Sequence, residues 1–310
     1  MTKQSTADAL EHRLLHGPPL LIDGGTGTEL EQRGAGMHPQ AWSARVALTD
    51  APVLREVHAA YLEAGAEIII ANTYAANYHV MEHAGLWHEF RLANQRSVEL
   101  ALQVREAADH RPDQVWVAGG MSTTTFTDGI DRSLIERVGN TAAGYREHAR
   151  VIADSGADFL ILEMMRDVTE TLHCLEAALE TGLPVWLGIS AQSSAGGELS
   201  FFGSADPLSP GVARILAAGM QPQAVGVMHS EIDITSRALQ TLREHWNGPL
   251  FAYPHRGVFE LPHWRLDDTL SPAEFAEAAT QWLDCGVTAV GGCCGVRPEH
   301  IAALNKSLKR

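Results

Sequence analysis

Positive charge is scarce in this chain. Of 310 residues, 23 are Lys or Arg against 38 Asp or Glu, a formal net charge of -15. A nucleic-acid binder needs a basic surface, so that class is excluded. The same balance gives mild help to a cationic ligand. Long apolar runs are also lacking. None approaches the roughly 18 residues that a membrane span requires. The opening segment MTKQSTADALEHRLLHG has no apolar signal core, so a cytoplasmic protein is expected. With only four cysteines, Cys174, Cys285, Cys293 and Cys294, a disulfide framework is not expected in a reducing compartment. No Pro/Ser-rich linker, low-complexity segment or composition break divides the chain.

What the chain does have is alternation. Short apolar runs fall at 20–25, 67–74, 115–121, 159–164, 185–191, 224–229, 250–255 and 288–295. Each suits a strand buried on both faces. Between them lie amphipathic stretches with helix signals, such as Ser271-Pro272 opening a segment that stops at Gly286. Eight strand–helix units predict a parallel α/β sheet closed into a single (β/α)₈ TIM barrel over residues 1–310. An open doubly wound sheet is the runner-up. The first 17 residues read as an extra helix closing the barrel bottom. Residues 254–268 read as a long loop on the C-terminal face, where loops carry function.

Strand ends on that face gather Asp23, Asn72, Thr73, Glu163, His229, His255, Cys293 and Cys294. Cys293 and Cys294, in GGCCG, are a soft-ligand pair suited to Zn²⁺, and the flanking glycines allow the backbone to bend. The bland alternative is two small buried residues. His229 is the best-placed third ligand, with His255 and Glu231 as rivals. Cys285 lies at the opposite end of the barrel and Cys174 on a helix, so both are assigned to packing. In DGGTGTEL (23–30) the glycines suggest a weak phosphate-type turn or close approach to a small substrate; Gly24, Gly25 and Thr26 are candidate contacts. Asp23 and Glu163 suit an ammonium group, with capping or a structural ion pair as the alternative.

LIDGGTGTELEQRG, HAAYLEAGAEIIIANTY, the Glu of FLILEMM and GGCCGVRPEHI occur in the order of, and resemble, the homocysteine S-methyltransferase family over nearly the whole chain. The resemblance implies a (β/α)₈ barrel that moves a methyl group to the thiol of homocysteine, on a zinc held by three cysteines. Cys293 and Cys294 match the paired ligands, and Asp23 and Glu163 match positions that hold the amino acid. The family's remaining cysteine follows an Asn at the end of the sixth strand. Here Met228 and His229 take those two places, and Pro254-His255-Arg256-Gly257 stands where the family has P-N-x-G. His229 is therefore expected to complete a Cys₂His site. The strand period is taken as support: Val225, Val227 and His229 share one face and Met228 the other.

The expected partners are small molecules, a thiol acceptor and a methyl donor. The length leaves no room for cobalamin or folate domains, which favours S-methylmethionine or S-adenosylmethionine. Trp42, Trp264, Tyr74 and Tyr253 are candidates for meeting the donor's positive charge. The alternatives are a paralogue that methylates another thiol, a zinc hydrolase using His229 and Asp23, and a non-catalytic thiol- or metal-binding barrel.

Overall fold

The structure is a computed structural model that describes residues 3–108, 114–123, 141–260, 263–265 and 270–309. Eight parallel strands form one sheet: Leu20–Leu21, Ile68–Ala71, Trp116–Ser122, Phe159–Met165, Val185–Ile189, Ala224–Glu231, Leu250–His255 and Val287–Val290. They are called here the first to the eighth strand. Each lies beside its chain neighbours, and the eighth also pairs with the first. A parallel bridge between Ile22 and Ile68 joins the first strand to the second and closes the barrel.

Local signals in the sequence explain the connecting helices. Helix Ala51–Ala64 has Pro52 in its first turn, where a missing N–H costs nothing, and ends at Gly65 in the left-handed region (φ 105°). Its buried face, Leu54, Val57, His58, Tyr61 and Leu62, follows the helical period. Helix Pro272–Asp284 begins with a capping box between Ser271 and Glu274.

Two apolar layers result. Inside the barrel, Phe159, Trp186 and Phe251 stack with ring centroids 4.8 and 5.5 Å apart. Leu10 and Leu14, from the N-terminal helix Lys3–His16, join this inner cluster with Leu20 and plug the bottom, as expected. Val225 and Val227 face the other way, into the layer between sheet and helices. Part of the segment expected as a loop after the seventh strand is instead an antiparallel ribbon, Val258–Glu260 with His263–Arg265. Among the described residues no helix is long and apolar enough to cross a membrane.

Gly226 sits where the inner stack presses on the sixth strand. A Cβ there would lie 2.4 Å from both the ring and the carbonyl oxygen of Phe251. Gly226→Ala is expected to lower unfolding free energy by about 1–3 kcal/mol, the usual cost of overpacking a core. A urea titration with an unchanged midpoint would count against this packing.

Candidate active site

The eighth strand ends in a glycine bend that presents two thiols. Cys293 N donates to Pro254 O at 2.7 Å, and Gly295 takes a left-handed φ of 78°. The sulfurs of Cys293 and Cys294 are 3.8 Å apart, and Cys293 Sγ lies 3.5 Å from Nδ1 of His229. One ligand atom from each of these three residues falls within 4.8 Å of the others. Cys174 is buried on helix Val168–Leu179 and Cys285 caps helix Pro272–Asp284, so neither belongs to the group. His255 and Glu231 pair with each other instead, Nε2 to Oε1 at 3.0 Å, although the His255 ring lies 4.5 Å from that of His229.

The structure places His229 beside the two thiols, but not by the strand period. Residues on the face of Val225 and Val227 point outward to the helices, whereas Ala224 and Met228 point into the barrel. Alternation alone would turn His229 away from the site. Its backbone breaks the alternation by adopting a left-handed φ of 46°. The pairing with the seventh strand shifts at the same place, between Met228 and Glu231. Here a bulge re-aims the side chain.

The donor chemistry of these residues fits a borderline-soft divalent ion. Burial holds the His229 imidazole well below its ordinary pKa, reinforced by His255 and Arg166, so its ring is neutral and keeps a lone pair. The hydrogen bond to Cys294, together with burial, pushes the Cys293 thiol well above its ordinary range. A bound cation would reverse that, since a coordinating thiol is deprotonated. Two thiolates and a neutral imidazole are a normal zinc set.

The same residues line one wall of a pocket. Other walls come from Gly24, Gly25, Thr26, Trp42, Ser43, Asn72, Tyr74, Glu163, Met164, Met228 and Tyr253. Glu163 is 7% exposed, and its Oε1 has no hydrogen-bond partner among the described residues. It lies over Gly120, where a Cβ would come within 1.9 Å of that oxygen. Burial, then the charges of Cys293 and Asp23, raise its pKa well above the usual carboxyl range. Thr26 Oγ1 is likewise buried and unpartnered.

The other expected contacts are more structural. Asp23 lies outside the pocket lining, with its carboxylate accepting from Ile70 N at 2.7 Å and from Tyr253 OH at 3.0 Å. Asn72 lines the pocket, yet its amide is tied to Ser43: Nδ2 donates to Ser43 O at 2.8 Å and Oδ1 accepts from Ser43 Oγ at 3.0 Å. Thr73 donates to Gly120 O at 2.8 Å. Gly24 and Gly25 do permit a close approach, but the protein itself makes it. A Cβ on Gly24 would meet Val296 O at 2.2 Å, and one on Gly25 would meet Cys293 O at 2.8 Å.

Trp42, Tyr74 and Tyr253 line the pocket, whereas the side chain of Trp264 lies outside the described residues. Sequence reasoning missed Met164, whose sulfur accepts from Tyr74 OH at 3.0 Å. Among the described residues, the non-glycine positions with positive φ are Trp42, Met164 and His229, and all three line this pocket. Strain of this kind concentrates at functional sites.

The sequence profile of the homocysteine S-methyltransferase family matches residues 20–308. This chain belongs to that family. It is 31% identical over 301 residues to homocysteine S-methyltransferase of Escherichia coli, covering 92% of this chain and 94% of that one. It is 27% identical to selenocysteine Se-methyltransferase of Brassica oleracea var. italica, covering 99% and 94%. The crystal structure of the homocysteine methyltransferase MmuM from Escherichia coli, metallated form, superposes with a TM-score of 0.75 at 26% identity, covering 96% and 99%. The chain is an S-methyltransferase by family, with the barrel fold that its sequence implied.

Burial raises the Asp23 pKa from 3.8 to about 8, only partly offset by its bonds to Ile70 and Tyr253. A carboxyl that holds its proton more tightly when folded stabilises the fold most below its unfolded pKa. That contribution is lost as pH rises through the interval between about 4 and 8. Asp23→Asn is expected to remove this fall. The check is urea unfolding of both proteins at pH 5 and pH 8 without ligands, and identical pH slopes would refute the assignment.

Proposed function

We propose that the chain transfers a methyl group from a sulfonium donor, S-methylmethionine or S-adenosylmethionine, to the thiol of homocysteine, using a zinc ion held by His229, Cys293 and Cys294. The observation that supports this reading best is the sharing of one pocket by two unlike features. One is a soft donor triad and the other a buried carboxylate, Glu163, whose Oε1 has no hydrogen-bond partner among the described residues. An amino acid with a thiol at its far end has one group for each.

In this reading Glu163 accepts a hydrogen bond from the substrate ammonium, which supplies the counter-charge that its burial demands. Asp23 supports that region from one layer below through Tyr253. Trp42 and Tyr74 present aromatic surface on which a cationic donor is favoured. The chemistry that a bound zinc would supply is loss of the acceptor's thiol proton at neutral pH. The new bond joins the acceptor sulfur to the methyl carbon, and the donor's carbon–sulfonium bond breaks. Its electron pair returns to the donor sulfur, which leaves as a neutral thioether, while the thiol proton passes to solvent. Held in line, the two substrates react without the entropic cost of meeting in solution. The four free thiols suit a reducing compartment, so we place the protein in the cytoplasm.

A second acceptor class has one observation in its favour. The triad has an imidazole where the family has a thiolate, and a relative of similar identity is named for selenocysteine. A less negative ligand set leaves the acceptor atom less nucleophilic, which a more reactive selenol would tolerate. Incubating the zinc-loaded protein with homocysteine or selenocysteine and each donor, read out by product mass, decides between them. No methylated product from any pairing would defeat the enzymatic reading.

Purified protein is expected to bind about one zinc, the complement of a single three-residue ligand set that leaves one position open for substrate. Cys293→Ala or Cys294→Ala should abolish binding. Metal analysis after reconstitution that finds no zinc in the unmutated protein would overturn the site. Glu163→Gln should keep the metal but raise KM for the amino acid acceptor about 10–100-fold, given roughly 1.5–3 kcal/mol for a charge-assisted bond. An unchanged KM from initial rates would remove Glu163 from the ammonium site.

A further inference from the structure

We infer that Ser190 and Ser230 are positioning residues whose buried hydroxyls hold the left-handed turn that swings His229 into the pocket. The inference rests on the reading of His229 as a zinc ligand. Regular pairing between the fifth and sixth strands ends at Ile189 and Val227. Beyond that point side chains continue the ladder. The Ser190 hydroxyl donates to the carbonyl of His229. Ser230 Oγ accepts from Ala191 N at 2.8 Å and donates to Met228 O at 3.2 Å.

On the opposite edge, Met228 pairs with Tyr253 and Glu231 with His255. Residues 229 and 230 therefore face position 254 alone, which makes a one-residue bulge. The bulge removes the ladder partners that a buried backbone needs, and the two hydroxyls replace them from inside the fold. Both serines are 0% exposed, so their hydroxyls cannot be satisfied by solvent. Were His229 to return to extended geometry, its ring would join the face of Val225 and Val227, away from the thiols. The serine contacts fall on the carbonyls of His229 and of its preceding residue, where they hold the turn and leave the ring free to bind metal.

The test is a double-mutant cycle on zinc affinity, measured by competition with a chromophoric chelator. Ser190→Ala is expected to weaken Zn²⁺ about tenfold or more, the range commanded by groups that orient a metal ligand. In a His229→Ala background the same change should alter affinity less than about twofold, because the ligand it positions is gone. Bound Co²⁺ gives a second readout. Ser190→Ala should keep the thiolate charge-transfer band and shift the d–d bands toward those of the His229→Ala protein. Ser190→Thr, which retains a hydroxyl, should restore most of the affinity. Ser230→Ala, measured in the same way, carries the test if Ser190→Ala does not fold.

Equal losses in both backgrounds would mean that the hydroxyls support only the general fold, and the proposal fails. Unchanged affinity and spectrum in both serine variants would overturn it as well. If His229→Ala itself leaves zinc affinity intact, the ligand assignment is wrong and the positioning role falls with it. That result is separable from a cycle in which His229 matters and the serines do not.

Discussion

The mouth of the barrel depends on one backbone contact, the docking of the turn after the first strand onto the turn after the eighth. Gly25 N donates to Val296 O at 2.9 Å, and Gly292 N donates to Asp23 O at 3.3 Å. Gly295 N donates to Thr28 Oγ1 at 3.0 Å, and Tyr61 OH donates to Val296 O at 2.9 Å. No side chain fits between these turns, which is why glycine recurs in both: a Cβ on Gly24 would also come within 2.7 Å of the Tyr61 hydroxyl. The contact is a consequence of barrel closure, since it can form only when the chain's two ends meet. It places the thiols of the last strand beside the carboxylates reached from the first and fourth.

That placement creates an electrostatic problem whose solution is the site itself. Asp23, Glu163 and Cys293 each raise the pKa of a neighbour as well as suffering burial. All three favour their neutral forms when the pocket holds no cation. Two positive charges, a metal ion and a substrate ammonium, would bring all three toward their charged forms.

Much of this was legible in the sequence, for identifiable reasons. The eight apolar runs mark strands covered on both faces, and the glycine and proline punctuation marks the helices between them. The meeting of Cys293 and Cys294 at the pocket was legible because they stand together in a glycine-rich segment at a strand end. Glu163 was legible because strand parity puts it inward with Phe159 and Ile161. Parity also sets the limit of such reasoning. Met164 and His229 reach the pocket only through positive φ at bulges, and no propensity in a single sequence marks a bulge. The structural contacts that Asn72 and Gly24 also make were not legible, because their partners, Ser43 and Val296, are distant in sequence.

The imidazole at position 229 has consequences that go beyond a substituted ligand. Were the proposed zinc bound, a thiolate in its place would make the complex anionic before the acceptor arrived, whereas two thiolates and a neutral ring would leave it electroneutral. An incoming thiolate would then meet less repulsion, so acceptor binding would gain while sulfur nucleophilicity fell. Imidazole is also longer than a cysteine side chain, and its ring must stand back from the sulfurs to leave room for the metal–ligand bonds. The bulge at residues 229–230 brings the ring to 3.5 Å from the Cys293 sulfur, and the neighbouring ring of His255, held by Glu231, packs 4.5 Å from the imidazole. A cysteine at 229 would have to span the same setback with fewer atoms. If His229 holds the metal, the histidine depends on the bulge, and straightening the strand would turn its ring toward the face of Val225 and Val227 and take the third ligand out of the site.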